Sequence, residues 1–309
     1  MSAALAALPA VYALIALGHI FRRTKYVGDA FWPAAEKLSH FVFIPALLVN
    51  ALAQVDFAKM DLGPMASVIV ASLLAMAALT LLARPLLPVE GPTFTSIFQS
   101  TTRINGIVGI AASAALYGDH GLALSAIVMV SFIPLANLMN VIVLVRFGGG
   151  GASGIRGAVI SIFTNPMILA VAAGVALNLS GVGLPFGTDV IMGTLGRAAL
   201  PIGLLAAGAG LELRAARRAG PYVVGVSMAK LALMPALAWF LCDWFGVAGP
   251  TRTVTILFLA LPCSANAYVL ARQMGGDAPF MAAAITATHI AAAASLPIAL
   301  SLVGVPPGP

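Results

Sequence analysis

Two short polar runs interrupt an otherwise apolar chain: Arg103-Ile104-Asn105-Gly106, near the end of the first third, and Pro262-Cys263-Ser264-Ala265-Asn266, near the end. Each places an asparagine, flanked by small or turn-prone residues, near the middle of a hydrophobic segment. A helix broken in hydrocarbon leaves backbone N–H and C=O groups unpaired, each costing several kcal/mol, so a break persists only where it lines a cavity or is satisfied by other groups. Asparagine is a strong N-cap, and Asn105 and Asn266 are each expected to start the second half of their helix. The amides just beyond would then point toward the membrane midplane with the positive end of the helix dipole, an arrangement that attracts carboxylates and other anions. Gly106 and Ala267 allow close approach to that backbone, and Ser264 joins them as a binding candidate. The plain alternative is that each asparagine glues neighbouring helices together.

The charges point to the same class of ligand. All ten acids lie in connections or near helix ends, whereas three bases, Arg103, Arg197 and Lys230, fall inside apolar segments. Intramembrane charge is expensive and functional by default. With no mid-membrane carboxylate to pair these bases, an anionic substrate is their natural counter-charge. Arg103, two residues before the break, is the sharpest candidate; its alternative role is to bond the carbonyls that the break frees. Arg197 and Lys230 lie about two turns from the starts of their segments, where snorkelling explains them as well. His40, His289 and Lys230 are the candidates for coupling, the histidines because they titrate near neutrality, with helix packing as their alternative. Asn137 and Asn140, after Pro134, are further polar residues inside the membrane, one facing a cavity or both serving as interhelical glue.

These residues must be positioned by membrane helices. Hydrophobic residues make up 61% of the 309 and charged residues 8%, against about 45–50% and about 25% in an average soluble domain, and the mean hydropathy is +1.04. Ten apolar windows long enough to cross a bilayer recur at about 3–21, 32–55, 62–83, 93–117, 121–146, 158–180, 189–211, 221–245, 252–274 and 279–303, called spans 1 to 10. The gaps are short, and no soluble domain is expected between them. The first span lacks a basic leader, so no cleaved signal peptide is expected. Cys242 and Cys263 have neither disulfide nor metal spacing, and no metal or cofactor is expected. Lys and Arg number eleven in the odd-numbered connections and two in the even-numbered ones. This bias puts the odd connections in the cytoplasm and both termini outside; it also explains the net charge of +6 without nucleic acid.

Five spans per half would make equivalent helices run in opposite directions. The stretch Pro45 to Asp56 in span 2 aligns without a gap to Pro201 to Glu212 in span 7, and Asn105 then corresponds to Asn266. Matched interruptions in two halves are the sequence mark of an inverted-repeat secondary transporter. The expected division is a first repeat over 1–148, a cytoplasmic link over 149–157 and a second repeat over 158–309.

The run Leu261-Pro-Cys-Ser-Ala-Asn-Ala-Tyr-Val-Leu-Ala-Arg-Gln-Met-Gly-Gly-Asp277 resembles that of the auxin efflux carrier family, including its bacterial malonate transporter-like members. Arg103 to Gly109, Pro45 to Asp56 and Lys230 to Pro235 resemble the family's fourth, second and eighth helices. The resemblance implies an all-α membrane protein of ten transmembrane helices in two five-helix inverted repeats. Helices 4 and 9 would be broken and cross at a central site, as in NhaA-like and bile-acid-transporter-like folds. It also implies transport of organic anions across a bacterial inner membrane by an elevator or rocking-bundle form of alternating access. Asn105 and Asn266 become the crossover asparagines. Two departures are Ala111, where many members have proline, and Gly106, which replaces a threonine.

The leading expectation is therefore a carrier of mono- or dicarboxylates. Its partners would be the anion, the lipid bilayer, H+ or Na+ as coupling ion, and a second copy of the chain in a homodimer. A sodium-coupled organic anion symporter is the same-fold alternative. An intramembrane enzyme would need a zinc motif, a nucleophile elbow or a buried aspartate pair, and the sequence has none of these.

Overall fold

In the computed structural model, residues 3–57, 62–148, 160, 164–217 and 220–304 are described. The expected link over 149–157 falls outside them, as does most of the start of span 6. Among the described residues every regular element is helical. In chain order these are α1 (Ala3–Arg23), α2 (Phe31–Gln54), α3 (Leu62–Leu82), α4 (Gly91–Thr102), α5 (Gly106–Phe147), α6 (Pro166–Leu179), α7 (Thr188–Ala209), a short α8 (Leu213–Arg217), α9 (Pro221–Phe245), α10 (Gly249–Leu259), α11 (Asn266–Met274) and α12 (Ala278–Val303). Among the described residues, six helical stretches are long and apolar enough to cross a membrane.

The local sequence explains these bounds. Proline stands at the first or second position of α4, α6, α9, α10 and α12, where its missing N–H costs nothing and its fixed φ suits the helix. Pro45 and Pro235 lie deeper, and each follows a widened π turn, Ser39–Phe43 in α2 and Ala229–Leu233 in α9. A proline ring clashes with the carbonyl four residues back and gives that carbonyl no N–H; a π turn absorbs both effects. The α5 path folds back on itself at Gly118, whose φ of 55° and ψ of −135° suit glycine alone. This turn separates the second half of span 4 from span 5.

Two bundles result. Helices α1, α2, α6 and α7 pack together, and α3, α4 and α8–α12 form the other bundle, with α5 as the seam between them. A Cβ on Gly208 of α7 would run into the Ile15 carbonyl of α1. Small residues thus bring these two backbones into contact, the usual way helices associate when the solvent is itself apolar.

Candidate binding site at the crossing of two broken helices

Span 4 is interrupted between α4 and α5, and span 9 between α10 and α11. Arg103 leaves the helix in an extended conformation, φ −111° and ψ 148°. The Asn105 N–H then donates to the Pro262 carbonyl at 2.9 Å. The unpaired groups that each break creates are thus partly satisfied by the other, and the two interruptions touch. Gly109 makes this approach feasible: a Cβ there would stand 2.6 Å from both Phe258 and Leu261.

The asparagines do not act as the expected side-chain caps. Asn105 occupies the N-cap position of α5 but makes no capping bond; its Nδ2 lies 2.9 Å from His289 Nε2. The other ring nitrogen, Nδ1, is 2.8 Å from the Ile285 carbonyl and must donate to it. Nε2 is therefore the bare nitrogen that accepts from Asn105. Asn266 is the first residue of α11, behind Ala265 at the cap position, which makes no capping bond either. The amides after the second break close tight turns, Ala267 N–H to the Ser264 carbonyl and Tyr268 N–H to the Ala265 carbonyl.

A cavity of about 120 Å3 lies where the breaks cross. That is room for several waters or a small organic ion. Arg103, Asn105, Gly106, Asn137, Ser264, Asn266 and His40 all line it. Arg103 Nη1 is buried without a hydrogen-bond partner among the described residues, so this nitrogen does not serve the freed carbonyls. Asn137 and Asn140 divide the two roles left open for them. Asn137 faces the cavity, while Asn140 is fully buried, donates to the Ala136 carbonyl at 2.7 Å and accepts from the Thr102 hydroxyl at 3.2 Å.

Four other candidates lie off the cavity. Ala267 is fully buried among Cys263, Ala271, Met281 and Ile285, off the cavity. One residue on from Asn266 is about 100° around the helix, which turns it inward. His289 also stands behind the wall, both ring nitrogens engaged as above. Lys230 is fully buried and does not snorkel; its Nζ is 3.5 Å from the Thr101 carbonyl at the end of α4 and 6.0 Å from the Phe132 ring. Phe132 itself lines the cavity, so Lys230 sits one layer behind it. Arg197 is exposed and bonded to Thr194.

Sequence reasoning missed Glu36, Ser39 and Asn165, which line the cavity too. Asn165 does cap its helix, accepting from Met167 N–H at 2.9 Å and Ile168 N–H at 3.4 Å; the Asn-Pro pair at a helix start is a legible signal of this. Glu36, Ser39 and His40 are spaced as one helix face, which periodicity could have revealed. Asp277, the end of the most specific motif, works elsewhere. It caps α12 through Phe280 N–H at 2.9 Å and accepts from Thr93 at 2.8 Å, fastening α4 to α12.

Helices of this length and apolarity around a polar, partly charged cavity mark an integral membrane protein. Comparison with known proteins agrees and narrows the class. Residues 155–300 match the family described as "Membrane transport protein". An uncharacterized transporter of Methanothermobacter thermautotrophicus is 25% identical over 93% of this chain and 94% of its own length. A Rhizobium meliloti protein named "putative malonate transporter" is 32% identical over 36% of this chain and 35% of its own. Over residues 155–300 the chain thus matches the family of the auxin efflux carriers, and the names of the family and of both relatives indicate a transporter, not an enzyme.

Proposed function

We propose that the chain carries small organic anions, mono- or dicarboxylates, across the cytoplasmic membrane by alternating access, binding them where the two broken helices cross. The observation that carries this reading is Arg103: a guanidinium on the wall of a small cavity, one of its nitrogens buried and unpartnered. A carboxylate supplies both the missing hydrogen-bond acceptor and the counter-charge, and the planar fork of arginine suits its two oxygens. The first turn of α5, with Gly106 and Ile107 on the cavity and no capping side chain, adds orphan amides and the positive end of a helix dipole. The Rhizobium meliloti relative's name supports the same class of cargo.

The ten-span inverted repeat belongs to this proposal. The described helices follow the ten apolar windows, and both asparagine segments are interrupted. The cavity is bounded by the start of α2, the start of α6 and the end of α7, all beside odd-numbered connections. The Lys and Arg bias assigns that side to the cytoplasm, so the cavity faces inward here. Movement of the α1, α2, α6 and α7 bundle against the other would turn it outward. Cysteines introduced at Ser153 and Pro309 should label from opposite faces; labelling from one face would contradict the inverted repeat.

Uptake into proteoliposomes tests the function. Labelled malonate should accumulate saturably and be competed by other small carboxylates but not by their amides. Equal competition by amides would show that charge is not what the site reads.

A further inference from the structure

We infer that Glu36 is a proton-binding residue of the transport cycle, taking up one proton as the organic anion binds. The inference rests on the anion site proposed above and assigns its coupling ion. Glu36, Ser39 and His40 project from one face of α2, and all three line the cavity that Arg103 lines from the other bundle. The Glu36 carboxylate has no hydrogen bond or ion pair among the described residues. The Ser39 hydroxyl beside it is buried and has no partner among the described residues. A π turn starts at this point of α2, a feature that recurs at functional sites.

The charged or titratable groups on the described wall are Glu36, His40 and Arg103. Helices α5, α6 and α7 and the second break contribute only uncharged side chains to it. Asp189 and Arg197 of α7, Asp119, His120 and Arg146 of α5, and Lys37 next to Glu36 all stand off the cavity. Glu36 and Arg103 are thus the one acid and the one arginine on the described wall, with no ion pair between them. An incoming carboxylate engages the guanidinium and brings further negative charge to the wall that Glu36, an exposed residue, also lines; a like charge favours its protonated form. A proton taken from solvent onto a Glu36 carboxylate oxygen offsets one of the negative charges present. The same proton returns to water on the opposite side once the anion has left. The net movement is one proton with each carboxylate charge that Arg103 neutralises.

The test is calorimetric titration of purified protein with malonate in sodium-free buffers of different ionisation enthalpy, over a pH series. Wild type should take up about one proton per malonate. Its affinity should fall about tenfold per pH unit once free Glu36 is ionised. Glu36→Gln should bind malonate without that uptake, and Glu36→Asp, which keeps a carboxylate, should retain it. Protonation of malonate itself would appear equally in Glu36→Gln. Uptake that is unchanged in Glu36→Gln, or lost only in His40→Gln, overturns the assignment. Malonate binding to wild type with no uptake overturns the coupling and leaves the anion site standing. If malonate, malate and propionate all fail to bind, the anion site falls and this inference falls with it.

Discussion

The two breaks carry asparagines at corresponding positions, yet the side chains face opposite tasks. Asn105 is 5% exposed and holds His289, while its backbone N–H holds the other break. Asn266 is exposed on the cavity, and no bond to another described side chain fixes it. The amides after the first break start α5 uncapped, whereas those of Ala267 and Tyr268 close turns onto Ser264 and Ala265. Only the first break carries a charge, Arg103. In the proposed reading the two interruptions are specialised: the first fixes the crossing and carries the cation, and the second leaves its amide free on the cavity.

Mutation can break this contrast. Asn105→Ala leaves His289 Nε2 buried without a donor, a loss of about 1–3 kcal/mol of stability. It should lower the thermal midpoint and cut transport at least tenfold. Asn266→Ala removes a side chain that holds nothing in place. It should cut transport about tenfold while stability stays within about 0.5 kcal/mol. Thermal unfolding and uptake measured on both variants decide the matter. If the two variants lose equal stability, the division of labour fails.

Much of this was legible because the bilayer is a strict solvent. Apolar length gives the helices, and Arg103, Asn105 and Asn266 stand out because polar groups there need a reason. Partners were harder to see. Asn105 meets His289 at a separation of 184 residues, and no local pattern encodes that pairing. The position suited an N-cap, but the amide found a buried acceptor in α12 instead. Ala267 lies off the cavity because it follows Asn266 onto the buried side of the helix. Glu36 was passed over as an acid near a helix end, which it is; only the packing of α2 against α7 puts that helix end on the cavity.

The central claim is that Arg103 reads the charge of the cargo at the crossing of the two breaks. Binding of a carboxylate and of its neutral amide to wild type and to Arg103→Ala tests it most directly. Wild type should prefer the carboxylate. Arg103→Ala should lose about 2–5 kcal/mol of carboxylate affinity, the size expected for a direct, desolvated contact, and little affinity for the amide. Equal weakening of both ligands would contradict the account and reduce Arg103 to a shaper of the broken helix.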